Sequence, residues 1–270
     1  LFPPGREVDL IRTALFLLAA VPASASAWDC PACGTANQGQ ICTDCLLPEP
    51  PEGMAWVPGD TITLDGILFQ VEPFFIDSSR VTYRDVLPWL NSEATSIDRL
   101  AEIVSGQYDE SLNFLRYTPF TGSEDGSGIT VPAGCLDLPV TSFTWQASTD
   151  YLGSTGRRMP TAAELALASR LGMVADQDVF EVMSAWASMM EASMGAMLGR
   201  ISAQAMFAGY SSRTERGIWE WTSDAPGYED PPVPPACMVV FRPSGTGLAD
   251  RSSGYFNIGF RGAVTDPSTL

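Results

Sequence analysis

The sequence predicts a loop-rich α+β domain preceded by a small four-cysteine module. Three observations carry that expectation. Two C-x-x-C pairs fall within residues 28–47, and the Pro-rich stretch PEPPEG, Pro48 to Gly53, follows them directly. From Met54 onward, short apolar runs are broken by Gly, Pro, Asp and Ser, the punctuation of mixed helices and strands. No internal repeat of useful period interrupts this text. The expected organisation is a leader over 1–27, a module over 28–47, a stiff linker over 48–53 and one domain over 54–265.

The leader is read from IRTALFLLAAVPASASA. Arg6 and Arg12 precede a short apolar run, and Ala25-Ser26-Ala27 supplies small residues for cleavage, the composition of an export signal. The run from Ala14 to Val21 is well below the roughly 20 apolar residues that span a bilayer. The expectation is an exported protein that meets the membrane only through this signal, with a single-pass anchor as the weaker alternative.

In the module, Cys30 and Cys33 form one knuckle, and Cys42 and Cys45 form another. Two such knuckles can place four thiolates tetrahedrally about Zn²⁺, with no open position for catalysis. The spacing, with CPACG at its start, resembles short zinc-ribbon modules. An oxidising compartment offers an alternative, two disulfides in place of the metal. A unit this short has no core of its own and needs one staple or the other.

Within the domain, strands are expected at Thr61–Val71, at Val239–Phe241 and in GIWEWTSD, residues 217–224. In that last stretch, alternation sets Trp219 and Trp221 on one face and Ile218, Glu220 and Thr222 on the other. Either a hydrophobic layer lies under a solvated edge, or Glu220 is a buried anion holding a metal or an arginine. Helices are expected from Thr82, with Pro88 shortening or kinking the element, and after Pro160. In the second, Thr161 is the cap, Glu164 lies three residues on and Gly172 is the stop. A third helix is expected over 178–207, where Met183, Trp186, Met190, Met194, Met197 and Ile201 form one stripe suited to core packing.

Composition narrows the function. The net charge is −17, and all 15 basic residues are Arg. An acidic chain without a basic run gives phosphate backbones no footing, so nucleic acid is not expected as a partner. The absence of His removes Ser-His-Asp and Cys-His nucleophiles and every imidazole metal site.

Several phrases, taken in order, resemble the formylglycine-generating enzymes, or sulfatase-modifying factors. They are MAWVPGDTITLDG from Met54, FFIDSSRVTYRDVLPWL from Phe74, PVTSFTWQASTDY from Pro139, GRRMPTAAELA from Gly156, RGIWEWTSD from Arg216, and IGFR at Ile258 to Arg261. The resemblance implies a C-type-lectin-like fold. It also implies a calcium site at the W-E-W glutamate, which here would use Glu220, Asp224 and the carbonyl of Gly217, the residue standing where the family has Asn. A structural salt bridge is the competing reading of Glu220. The family's catalysis rests on a cysteine pair that holds copper, after a phrase that here reads FRPSG. No cysteine follows Phe241, so copper is not expected. Cys135 and Cys237 are the remaining cysteines, expected as a disulfide, with a relocated copper pair as the alternative. Arg157 and Arg158 ahead of Glu164 imply a structural Arg–carboxylate pair.

The functional expectation is an exported non-catalytic binding or scaffold module for a protein, peptide or glycan ligand. Its binding surface is expected on loops carrying Tyr210, Arg213, Arg216, Arg251 and Tyr255. A formylglycine-type oxidase, or a related oxidoreductase acting on a protein or small molecule, is the alternative.

Overall fold

A computed structural model describes residues 27–93, 97–104, 108–109, 114–115, 120–122, 128–175, 184, 218–224, 237–253 and 258–265. The leader up to Ser26, nearly all of the Met-striped segment, Gly217 and the loop residues Tyr210, Arg213, Arg216 and Tyr255 lie outside them. The chain is a mixed α+β protein with several small sheets and an amino-terminal four-cysteine cluster. It divides into two compact units between Glu49 and Pro50, inside the Pro-rich stretch. Among the described residues, no helix is long and apolar enough to cross a membrane.

The first unit holds two short antiparallel strands, β1 (Trp28–Asp29) and β2 (Ala36–Asn37).

The second unit opens with β3 (Met54–Val57), β4 (Asp60–Leu64), β5 (Ile67–Val71) and β6 (Phe74–Asp77). The expected single strand at Thr61–Val71 is a hairpin instead, with β4 and β5 paired antiparallel. Asp65 and Gly66 both take positive φ, at 50° and 82°, which is the conformation a two-residue hairpin turn requires and Asp-Gly supplies. All four residues of β6 are buried, because it runs between β3 and the last strand with both faces covered.

Next come α1 (Tyr83–Glu93) and α2 (Ile97–Val104). Pro88 does not end α1 early, and the helix continues through it to Glu93. Its start is fixed by Thr82 and Asp85: the Thr82 amide donates to the Asp85 carboxylate at 2.8 Å, and the Asp85 amide returns a bond to the Thr82 hydroxyl at 3.4 Å. Four short strands follow as an antiparallel meander: β7 (Tyr108–Asp109), β8 (Phe114–Leu115), β9 (Thr121–Gly122) and β10 (Ile129–Thr130). A single 3-10 turn, Ala133–Cys135, leads towards α3 (Trp145–Ser154) and α4 (Ala162–Arg170). The α4 start matches its sequence signature. The Glu164 amide donates to the Thr161 hydroxyl at 3.1 Å, and the Thr161 amide donates to the Glu164 carboxylate at 2.7 Å. Gly172, at φ 69°, closes the helix by donating its amide to the Ser169 carbonyl.

The last sheet assembles β11 (Trp219–Trp221), β12 (Cys237–Arg242), β13 (Gly245–Asp250) and β14 (Ile258–Gly259), in the order β13-β12-β11-β14. Strand β15 (Ala263–Val264) returns to pair with β6. The residues leading up to Arg251 are therefore strand, and FRPSG spans the turn between β12 and β13, with Pro243 and Ser244 at its tip. Within this sheet β11 is interior, antiparallel to β12 and parallel to β14. One core cluster gathers Leu90, Phe120, Phe143, Tyr151, Trp221 and Phe260. A second gathers Val57, Phe74, Ile76, Leu165, Leu167 and Phe241.

Candidate metal centre

The four sulfurs of Cys30, Cys33, Cys42 and Cys45 lie within 4.8 Å of one another, and no other group of potential ligands converges this way among the described residues. Two approaches cross between knuckles, Cys30 to Cys45 at 3.4 Å and Cys33 to Cys42 at 3.4 Å. A regular tetrahedron with metal–sulfur bonds of about 2.3 Å has edges near 3.8 Å, which falls inside this range. The cluster fits a closed S₄ site for a metal ion such as zinc. None of the four is disulfide-bonded.

The two knuckles share one backbone pattern. The Cys30 amide donates to the Thr35 carbonyl at 2.9 Å, and the Gly34 amide donates to the Cys30 carbonyl at 2.8 Å. The Cys42 amide donates to the Leu47 carbonyl at 2.7 Å, and the Leu46 amide donates to the Cys42 carbonyl at 3.1 Å. The pattern needs a left-handed residue four positions after the first cysteine. Gly34 fills it at φ 75°, whereas Leu46 does so at φ 61° with its side chain 75% exposed. Leu46→Gly is therefore expected to raise the stability of the folded module by about 1 kcal/mol, read on the zinc-supplied chain as slower amide exchange at Cys42 and Cys45. Buried Asn37 ties the knuckles together: its side chain donates to the Thr35 carbonyl at 2.7 Å and accepts from the Thr43 amide at 3.1 Å. Nothing in the sequence spacing marked Asn37 for this role.

Backbone dipoles prepare the sulfurs. The Cys45 amide, and after the counter-effect of burial that of Asp44, hold the Cys42 thiol down to about 6. At Cys45 the Leu47 amide acts in the same direction, but the Cys30 thiol, burial and the other sulfurs push it up to about 12. One thiolate forms readily, and the last resists unless a cation joins the cluster.

No family model and no curated protein matches this chain.

Glu220 is the second feature of interest. It is 5% exposed, and both carboxylate oxygens meet guanidinium groups. Arg261 donates Nε to one oxygen at 2.6 Å and Nη2 to the other at 2.9 Å, and Arg80 reaches the second oxygen at 3.0 Å. Arg261 is 0% exposed and also donates to the carbonyls of Asp77, Ser78 and Ala175, while Arg80 donates to the Ile218 carbonyl. Burial alone would raise the Glu220 carboxyl, but Arg261 and then Arg80 outweigh it and hold the group below its usual range. Of the two readings of GIWEWTSD, the buried anion holding arginine is the one found. A calcium ion at Glu220 would have to displace two cations from it. Asp224, its expected co-ligand, accepts instead from the Ala162 amide at the start of α4, at 2.5 Å.

The other sequence candidates separate. The Arg158–carboxylate pair forms, with both Nη groups on Glu164 at 2.6 and 2.8 Å, while Arg157 reaches Asp77 at 3.3 Å. Cys135 and Cys237 do not form the expected disulfide. Cys135 is enclosed in the first core cluster, whereas Cys237 is half-buried at the start of β12 opposite Asp250. The Arg242 guanidinium sits 4.1 Å from the centroid of the Trp219 ring, and a Cβ at Gly247 would come to 3.0 Å from the same ring. Arg251 is exposed on the turn after β13.

Proposed function

We propose that the chain is an exported, non-catalytic binding or scaffold protein: a C-type-lectin-like domain of the sulfatase-modifying-factor type, joined to a four-cysteine module that holds a structural zinc ion. The observation that carries this reading is the disposition of sulfur. Four cysteines converge on a closed site, and the two in the domain form no bond, one of them being enclosed in the core. A closed S₄ site leaves the metal no position for substrate, so its role is to fold the module. The phrases of the resemblance also meet one another in the fold. W-E-W pairs with I-G-F-R through β11 and β14, and FFID pairs with MAWV through β6 and β3. Export follows from the leader composition alone.

The competing reading is a copper oxidase acting on a cysteine-containing peptide. Oxygen consumption by the copper-supplied full chain with such a peptide separates the two. The binding reading predicts none above background. Turnover abolished by Cys237→Ala would favour the oxidase.

A further inference from the structure

Away from the metal cluster, the domain holds a cleft of about 340 Å³ lined by α1, α2, the first turns of α3 and the turn after β13. We infer that this cleft is the binding site of the domain, and that it takes a ligand joining a free carboxylate to a small apolar group, such as the carboxyl end of an apolar peptide or a single apolar amino acid. The inference rests on the binding reading above and gives it a place and a ligand class.

The cleft is preformed. The Thr144 amide donates to the Ile103 carbonyl at 3.0 Å, which fastens α3 to α2. The Trp145 amide donates to the Arg251 carbonyl at 3.1 Å, which fastens α3 to the turn. The Thr144 hydroxyl accepts from the Ala147 amide at 3.2 Å and fixes the first turn of the helix. Three walls thus share backbone bonds, and little ordering is left for a ligand to impose.

The lining sorts by chemistry. Ile103, Thr144 and Ala147 are buried and line its interior, and Trp89 is half-buried beside them. The Trp89 ring is held edge-on against Tyr151, with centroids 5.7 Å apart. The charged residues are mostly engaged. Arg99 pairs with Glu102 at 2.9 Å, and Gln146 donates to Asp150 at 2.7 Å. Arg251 lines the same cleft and is exposed, and no described residue forms an ion pair with it. An exposed guanidinium next to apolar wall and an aromatic ring suits a carboxylate with a hydrocarbon neighbour.

Titration calorimetry on the full chain tests this with four probes: Gly-Gly-Leu as free acid, the same peptide as its carboxamide, N-acetyl-leucine, and a glucuronic-acid disaccharide. The expected result is binding of the free acid, weakened about tenfold or more by amidation and by Arg251→Ala, with Arg251→Lys intermediate. Comparable affinity for N-acetyl-leucine would assign the site to single amino acids, and a clear preference for the tripeptide would assign it to peptide ends. Equal binding of acid and amide, or an unchanged Arg251→Ala variant, would overturn the inference. Binding of the disaccharide alone would overturn the ligand class and leave the binding reading standing. Silence to every probe overturns the cleft assignment, and oxygen-consuming turnover lost in Cys237→Ala would overturn the binding reading itself.

Discussion

Glu220→Gln is expected to destabilise the domain by about 3–5 kcal/mol, the cost of removing one partner from a buried ion cluster. Two guanidinium groups at 0–3% exposure would keep their charge and lose a carboxylate that contacts both. Urea unfolding followed by tryptophan fluorescence measures the change. The pH response carries the same signature. A carboxyl held below its ordinary value in the folded state contributes stability above the usual carboxylate range and loses it as pH falls through the folded value. Asp77 and Asp224 are shifted the other way, chiefly by burial, so their protonation relieves the folded state instead. Asp137, held low by Arg84, and Asp250, held low by Ser252, are reached and screened by solvent, so Glu220 carries the larger share of the acid-side loss, which should lessen in the Gln variant. If the variant unfolds at the same urea concentration as the parent, the cluster is not what holds β11, β14 and the Arg80 loop together.

The second large effect concerns the metal centre. Cys42→Ser, or chelation of the parent, is expected to unfold the module over 28–47, because structural zinc supplies about 10–16 kcal/mol to units of this size and two strands of two residues each cannot replace it. Amide resonances of Cys30, Gly34, Cys42 and Leu46 should collapse into the unfolded region and return on adding zinc to the chelated parent but not to the variant. Persistence of the module's dispersion without metal would mean that Asn37 and the backbone bonds suffice.

Local chemistry was readable wherever the cause lay within a few residues. Thr161 and Glu164 announced the capping box of α4 because its donors and acceptors sit one turn apart. The cysteine knuckles announced themselves by spacing. The Asp65-Gly66 turn was equally local, yet the continuous apolar text around it reads as one strand unless the dipeptide is given weight. Long-range pairing was not readable. Alternation placed Glu220 opposite the two tryptophans, but its partner Arg80 lies on the segment after β6 and Arg261 follows β14, so nothing in the local period reveals that both faces of β11 are covered. The oxidising compartment expected for an exported chain suggested that Cys135 and Cys237 would pair, an argument that holds no information on direction or distance, and the fold leaves one in the core and the other at a strand start.

The most direct test of the account is zinc-edge X-ray absorption on the purified full chain, with metal content measured on the same sample. The account predicts one zinc per chain in a shell of four sulfurs at about 2.3 Å, unchanged in a Cys135→Ser/Cys237→Ser variant. A metal-free protein whose four amino-terminal cysteines resist alkylation, or a shell with oxygen in place of sulfur, would contradict it.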